Sequence, residues 1–435
     1  MKKTVLCLLI AACGSQAPKT PTAVSAAGAR ASADAPASVA VTKTGTATTL
    51  QPHPKDPASA LTTEARPVCG SKAGMRCRAV ARLNTSRQLF TGAVPAGLTA
   101  ADLQLSYNLD ADLSTPTATV ALVDAFDTPN AEADLGTYRA QFGLPACTHA
   151  NGCFKKINQD GQDLANQASS QPISNSDWGG EATLDLEMAS VGCPTCKILL
   201  VESYDDSNPN LYAAVDQAVA SGATVVSNSW GDYFERPDEI ADDVHFNHPG
   251  VAIFIASGDN AYGVGYPDAS PYVFSVGGTN LGVGDNGLQE VAWDGTASGC
   301  SFYEAKPAWQ TDTLCPNRAE CDIAAVSDPY TGVAVYYTFP YANADGTFDV
   351  QGGWMVFGGT SVASPLVAGI FAATGHGGDT PEIAYAHPDA FYDVTQGSNG
   401  ICGRGNLCNS AVGWDGPTGV GSPNGTRLAK IPAQR

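Results

Sequence analysis

Gly358-Gly359-Thr360-Ser361-Val362-Ala363-Ser364-Pro365 follows the apolar run Trp354-Met355-Val356-Phe357 and opens the helix-like run Leu366-Val367-Ala368-Gly369-Ile370-Phe371-Ala372-Ala373. Glycines let a backbone approach a ligand closely, and a hydroxyl at the positive end of a helix is the setting of a serine nucleophile. In this reading Thr360 is the N-cap, Ser361 lies in the first turn, and Pro365 stands near enough to the helix start to be tolerated. The competing reading is an ordinary capped helix after a Gly-rich turn, and the rest of the chain must decide between them.

Upstream, β-branched runs alternate with amphipathic ones. Thr117–Phe126, Lys197–Ser203, Ala223–Ser229, Val251–Ser257 and Tyr272–Val276 read as buried strands, and Asn130–Phe142, Glu181–Val191 and Leu211–Ser221 read as helices. This alternation predicts an α/β fold: a mostly parallel sheet with helices on both faces, in one large domain whose ligands sit at the carboxyl ends of the strands.

The chain of 435 residues carries 43 acidic and 23 basic side chains, a net charge of -20. That balance argues against nucleic acid, whose phosphates need clustered Lys and Arg. Met1-Lys2-Lys3 and the apolar Thr4–Ala12 have the form of a secretory signal, residues 1–13. Ile10-Ala11-Ala12-Cys13 resembles a bacterial lipobox, which would lipidate Cys13 and anchor the exported protein; free secretion is the alternative. Residues 14–67, rich in Ala, Ser, Thr and Pro, read as a disordered spacer. Residues 68–97 read as a short pro-segment or N-terminal extension in which Arg76-Cys77-Arg78-Ala79-Val80-Ala81-Arg82 offers a processing site. The folded domain is then 98–435, with Thr99 capping its first helix.

Export makes the 13 cysteines readable as disulfides once Cys7 and Cys13 are set aside. The local pairs are Cys69 with Cys77, Cys147 with Cys153, Cys193 with Cys196 and Cys402 with Cys408. Cys300 takes Cys315 or Cys321, leaving one thiol free and buried. Cys193-Pro194-Thr195-Cys196 has no second CxxC or nearby His to complete a metal site.

A serine nucleophile needs a base and an oxyanion stabiliser. None of His53, His149, His245, His248, His376 and His387 stands in the Gly-rich, helix-opening context of a subtilisin-type base, although Val123-Asp124-Ala125 resembles the subtilisin aspartate. Ala363 breaks the nucleophile-elbow pattern of α/β-hydrolases. Carboxylates offer another route, because Glu181 and Asp185 are one helical turn apart and project from one face. Coupled, desolvated carboxylates have raised and split pKa values, so one can serve as base while the other orients it. Spacing alone equally allows a solvated acidic face with Glu187 as its third member.

The combination resolves that choice. Gly-Thr-Ser with Pro365, the Glu181 and Asp185 pair, Ala256-Ser257-Gly258-Asp259, Ser227-Asn228-Ser229-Trp230-Gly231, Tyr266-Pro267-Asp268-Ala269-Ser270-Pro271-Tyr272-Val273 and Val276-Gly277-Gly278-Thr279 occur together. In that order they resemble the sedolisins, serine-carboxyl peptidases of subtilisin-like fold. The resemblance implies that Ser361 is the nucleophile, Glu181 the general base and acid, Asp185 its orienting partner and Asp259 the oxyanion residue. It further implies one structural Ca²⁺ held by carboxylates of Asp393 and Asp415 and carbonyls of Val394, Ala411 and Gly413. It implies an endopeptidase acting on proteins or peptides, preferably in acid; the N-terminal signal makes it exported, and a monomer is the expected state. Two alternatives stay open: a sedolisin-fold binding protein without turnover, and a serine hydrolase acting on other bonds.

Overall fold

Ordered backbone begins earlier in the chain than composition suggests. The computed structural model describes residues 39–44, 47–52, 61–70, 74–109, 118–164, 172–284, 287–342 and 348–434. Strands β1 (Val39–Thr44) and β2 (Ala47–Pro52) pair antiparallel, and β3 (Leu61–Pro67) pairs antiparallel with β5 (Val80–Asn84). Both fall partly or wholly in the stretch read as a disordered spacer, which is corrected to that extent. The signal and lipobox residues lie outside the described residues. Between β3 and β5 runs the two-residue strand β4 (Arg76–Cys77).

Helix α1 (Ala100–Ser106) is capped by Thr99 in a full capping box with Asp102. The central sheet follows: β6 (Thr119–Ala125), β7 (Phe154–Asn158), β8 (Lys197–Ser203), β9 (Val225–Asn228), β11 (Ala252–Ala256), β12 (Phe274–Gly284) and β13 (Gly287–Ala292). Strand β10 (Trp230–Gly231) leaves the sheet just after β9 and pairs with β4. A short pair, β14 (Gly299–Cys300) with β15 (Ala319–Glu320), precedes β16 (Ile323–Val326), which joins the sheet beside β12. The spatial order is β13-β12-β11-β9-β6-β8-β7, parallel throughout except for the edge strand β13.

Alternation of period two explains why both faces are covered. Val120 and Leu122 of β6, Ile198 and Leu200 of β8, and Phe254 of β11 join one core; Ala121, Val123, Leu199, Val201, Ile253 and Ile255 join the other. Helices α3 (Ser176–Gly192) and α5 (Thr360–Thr374), with α2 (Ala131–Gln141), pack on the first face, and α4 (Asn208–Ala220) packs on the second. A second, antiparallel sheet of order β17-β18-β5-β3, in which β17 is Val333–Ala342 and β18 is Phe348–Gly358, carries the chain into α5. Phe371 holds α5 on the main sheet, its ring centroid 5.0 Å from those of Phe254 and Phe274. Among the described residues no helix is long and apolar enough to cross a membrane.

The disulfides are Cys69–Cys77, Cys147–Cys153, Cys193–Cys196, Cys300–Cys315 and Cys402–Cys408, and Cys321 is free and buried. Cys300 therefore takes Cys315, its partner across the β14 and β15 loop.

Candidate active site

Two helices meet where the chain has no side chains to separate them. A methyl group on Gly192 of α3 would lie 2.4 Å from the Leu366 carbonyl oxygen of α5, and one on Gly369 would lie 2.7 Å from the Ala189 oxygen. This close approach packs the end of α3 against the middle of α5.

The N-cap of α5 is Gly359, with φ of 91°, and not Thr360 as the spacing suggested. Thr360 instead has a tertiary partner: its N–H and its hydroxyl both donate to Asp259 Oδ1, at 2.8 and 2.9 Å, and its Oγ1 accepts from the Gly258 N–H at 3.1 Å. Ser361 follows, fully buried. Its hydroxyl is close enough to Glu181 to favour the charged carboxylate, although no hydrogen bond is formed between them.

From Trp178 onward helix α3 is buried on every side, so the acidic face that spacing allowed does not exist. Glu181, Asp185 and Glu187 are all fully buried, and Glu187 accepts the Tyr336 N–H of β17. Glu181 Oε2 accepts the Ala79 N–H at 2.8 Å, and Asp185 Oδ1 accepts the Ser229 hydroxyl at 2.8 Å. Glu181 Oε1, Asp185 Oδ2 and both oxygens of Asp124 are buried and have no hydrogen-bond donor aimed at them. Burial pushes Glu181 and Asp185 well above the usual carboxylate range, and the charge of Asp124 adds to this; Asp124 itself is pushed up by burial to about 8. Carboxyls in this condition hold protons and share them. Asp124, at the carboxyl end of β6, is thus a third member of the cluster that spacing on one helix does not reveal. Its position at a strand end was the available signal.

Asp259 follows β11 and is half-buried. Burial raises its carboxyl to about 6, while its bonds from Thr360 and the nearby charge of Arg78 oppose the rise. Below that pH the group carries a proton and can donate a hydrogen bond where a carbonyl oxygen gains charge. Asp124, Ser229 and Asp259 all lie at carboxyl ends of parallel strands or just beyond, where ligands of open α/β sheets bind.

The ring nitrogens of His149, His245, His248 and His376 bond to Asp163, Asp216, Asp379 and the carbonyls of His245 and Leu428, and none bonds to Ser361. His53 lies outside the described residues.

The C-terminal set is also brought together. Asp393 Oδ2 accepts the Gly413 N–H and Asp415 Oδ2 accepts the Ala411 N–H, each at 2.9 Å, so both carboxylates face the loop 411–413. Burial, with the Asp393 charge adding to it, raises the Asp415 carboxyl to about 7 against the bonds it accepts from Ala411 and Thr418. Two acids and a turn of backbone carbonyls suit a hard cation such as Ca²⁺. Among the described residues no group of three or more His, Cys, Asp or Glu side chains is placed to hold a metal, so carbonyls would have to complete the shell.

A profile described as the Subtilase family matches residues 168–379. Kumamolisin of Bacillus sp. (strain MN-32) is 28% identical over 413 residues, covering 84% of this chain and 68% of its own. Tripeptidyl-peptidase sed1 of Aspergillus fumigatus is 30% identical over 222 residues, 40% of this chain and 34% of that relative. Among solved structures, Pseudomonas sedolisin, a serine-carboxyl proteinase complexed with two molecules of pseudo-iodotyrostatin, superposes with a TM-score of 0.61 at 24% identity, over 77% of this chain and 98% of that one.

Proposed function

Because the chain belongs to the sedolisin family of subtilisin-like serine peptidases, we propose that it is an exported endopeptidase that cuts proteins or peptides in acid. The observation that carries the reading is the convergence on one peptide unit: Ser361 beside Glu181, Glu181 on the Ala79 nitrogen, and Asp259 against the Gly359 turn. In the proposed mechanism Ser361 Oγ attacks the substrate carbonyl as Glu181 takes its proton. Asp185 and Asp124 keep Glu181 in a dry, proton-sharing cluster, and protonated Asp259 donates to the oxyanion. The five disulfides among the described residues support export, since such bonds persist in oxidising compartments.

Endopeptidase action has its own support, although relatives include tripeptidyl-peptidases. Residues 74–84 run past the Ser361 centre and continue on both sides, as a chain cut at an internal bond must, whereas release of tripeptides needs one end closed. Digestion of a denatured protein at about pH 4, where unperturbed carboxylates titrate, is expected to give internal fragments of mixed length by mass spectrometry. Tripeptides released in sequence from the N-terminus would replace this reading with the exopeptidase one, and no cleavage at any pH would replace it with the binding-protein one.

We further propose that Asp393, Asp415 and the carbonyls of Val394, Ala411 and Gly413 hold one Ca²⁺ that ties down the C-terminal loops. At about 100 times its Kd, calcium is expected to stabilise the fold by about 3 kcal/mol, raising Tm by several degrees in a thermal melt. EDTA should reverse the shift, and Asp415→Asn should remove it; an equal calcium effect in that variant would place the ion elsewhere.

A further inference from the structure

We infer that Arg76–Ala81 lies in the cleft as the enzyme's own first substrate, with Arg78–Ala79 the bond to be cut and Asp268 the residue that selects a basic side chain on its acyl side. This rests on the serine-peptidase reading above and adds to it a bond and a specificity.

The segment is held as an extended strand on both sides of one peptide unit. On the acyl side Cys77 and Arg76 pair antiparallel with Trp230 and Gly231, and the Arg78 N–H donates to the Ser229 carbonyl at 3.0 Å. On the leaving side Val80 and Ala81 pair with Gly358 and Phe357, the residues just before the Gly359 turn. Main-chain pairing of this kind binds a peptide whatever its sequence and leaves the side-chain pockets to choose.

Between the two sides, the Arg78–Ala79 unit meets the proposed machinery atom by atom. A methyl group on Gly359 would lie 2.0 Å from the Arg78 carbonyl oxygen and 2.8 Å from Asp259 Oδ2, so that carbonyl and the oxyanion carboxyl share one spot. The Ala79 nitrogen, which would become the leaving amine, is 2.8 Å from Glu181 Oε2. A strand serving only to complete a sheet has no reason to present its carbonyl to Asp259 and its N–H to Glu181.

The Arg78 side chain fills a buried slot in which Nη2 is hydrogen-bonded and Nε and Nη1 are not. It is 3% exposed, and its Nη2 donates to Asp268 Oδ1 at 2.8 Å and to the Asp232 carbonyl at 3.3 Å. The walls are backbone: methyl groups on Gly231, Gly265 and Gly258 would lie 2.1, 3.3 and 3.6 Å from guanidinium atoms. A narrow slot closed by a carboxylate selects a basic residue, as electrostatic complementarity at a buried pocket requires. The Cys69–Cys77 disulfide ties down the residue before Arg78 and so reduces the ordering needed to keep the strand in place.

The step balances with one water. Ser361 Oγ bonds to the Arg78 carbonyl carbon and its proton passes to Glu181; the C–N bond breaks as Glu181 protonates the Ala79 nitrogen. Water then adds to the Arg78 ester, its proton returning through Glu181 to Ser361 as the C–O bond breaks. Arg78 leaves as a carboxylic acid that gives its proton to solvent, and Ala79 is the new N-terminus ahead of β5.

The test uses the full chain, purified as wild type and as Ser361→Ala, brought to about pH 4 and followed by intact mass and N-terminal sequencing. Wild type is expected to acquire Ala79 as its N-terminus while Ser361→Ala stays uncut. On peptides differing only in the residue before the cut, wild type should favour Arg or Lys over Leu by on the order of 100-fold, and Asp268→Asn should collapse that ratio. Because Asp268→Asn leaves Arg78 without its partner and can fail to fold, the wild-type peptide series stands by itself, and Arg78→Lys should keep the self-cut that Arg78→Leu loses. Wild type that digests a denatured protein yet leaves Arg78–Ala79 intact, or cuts after every residue type alike, overturns this inference alone. Wild type that cuts nothing, itself included, overturns the peptidase reading with it.

Discussion

Ser361→Ala is expected to lower kcat/KM on a denatured protein by about 10⁴-fold or more, Glu181→Gln by about 10³-fold, and the double variant no further than Ser361→Ala alone. The three values follow from what each group does. Without the Ser361 hydroxyl no acyl-enzyme forms, so the base has nothing to deprotonate and its further loss costs nothing. With Gln at 181 the hydroxyl remains, but no group takes its proton. The amide keeps an oxygen for the Ala79 N–H, now accepted at 2.8 Å by Glu181 Oε2, so the geometry survives while the chemistry does not. Neither change should unfold the protein. The Ser361 hydroxyl forms no complete hydrogen bond to lose, and replacing a desolvated carboxyl by a neutral amide removes the cost of ionising it there. Equal melting curves with the stated kinetics would support the roles. Glu181→Gln retaining more than about a tenth of wild-type activity would move the base to another carboxyl, with Asp124 and Asp185 the nearest candidates in the same cluster.

What the sequence allowed to be read, and what it hid, divides by the distance between partners. Glu181 and Asp185 sit four residues apart on one helix, so their common face follows from helix geometry, and the structure keeps it. The strands and helices of the central sheet were legible for the same local reason. Asp124 escaped because it reaches the cluster through a parallel crossover, from a strand that spacing cannot align with α3. Glu187 was ambiguous because a helix covered on all sides has no solvent face from which to judge its pattern. Thr360 was misread as a cap since the hydroxyl that local rules assign to its own helix serves Asp259 and Gly258 instead. The strand Leu61–Pro67 was hidden in Ala- and Thr-rich sequence because its partner β5 draws its own order from β18, more than two hundred residues away.

Activity should fall about tenfold for each pH unit above about 6, and Asp259→Asn should abolish that fall. The proposed oxyanion donor is a carboxyl that burial holds to about 6, so ionisation above this value removes the donated hydrogen bond and sets a negative charge where the carbonyl oxygen becomes negative. Asparagine donates at every pH. Asp259→Ala, which donates at none, should lose about 10² to 10³ in kcat even in acid. The productive form has Asp259 protonated, and the alkaline limb follows the loss of that proton. Stability moves with it. Because the folded value of Asp259 lies above its unfolded one near 3.8, the benefit of burying it neutral is complete below that pH and is lost as pH rises through about 6. Its full size is about 3 kcal/mol, and Asp259→Asn should flatten this part of the stability curve. If Asp259→Asn instead kept the same alkaline fall as wild type, the limb would belong to Glu181 and its neighbours. Asp259 would then act through Thr360, which it holds by two hydrogen bonds at the start of the helix that carries Ser361.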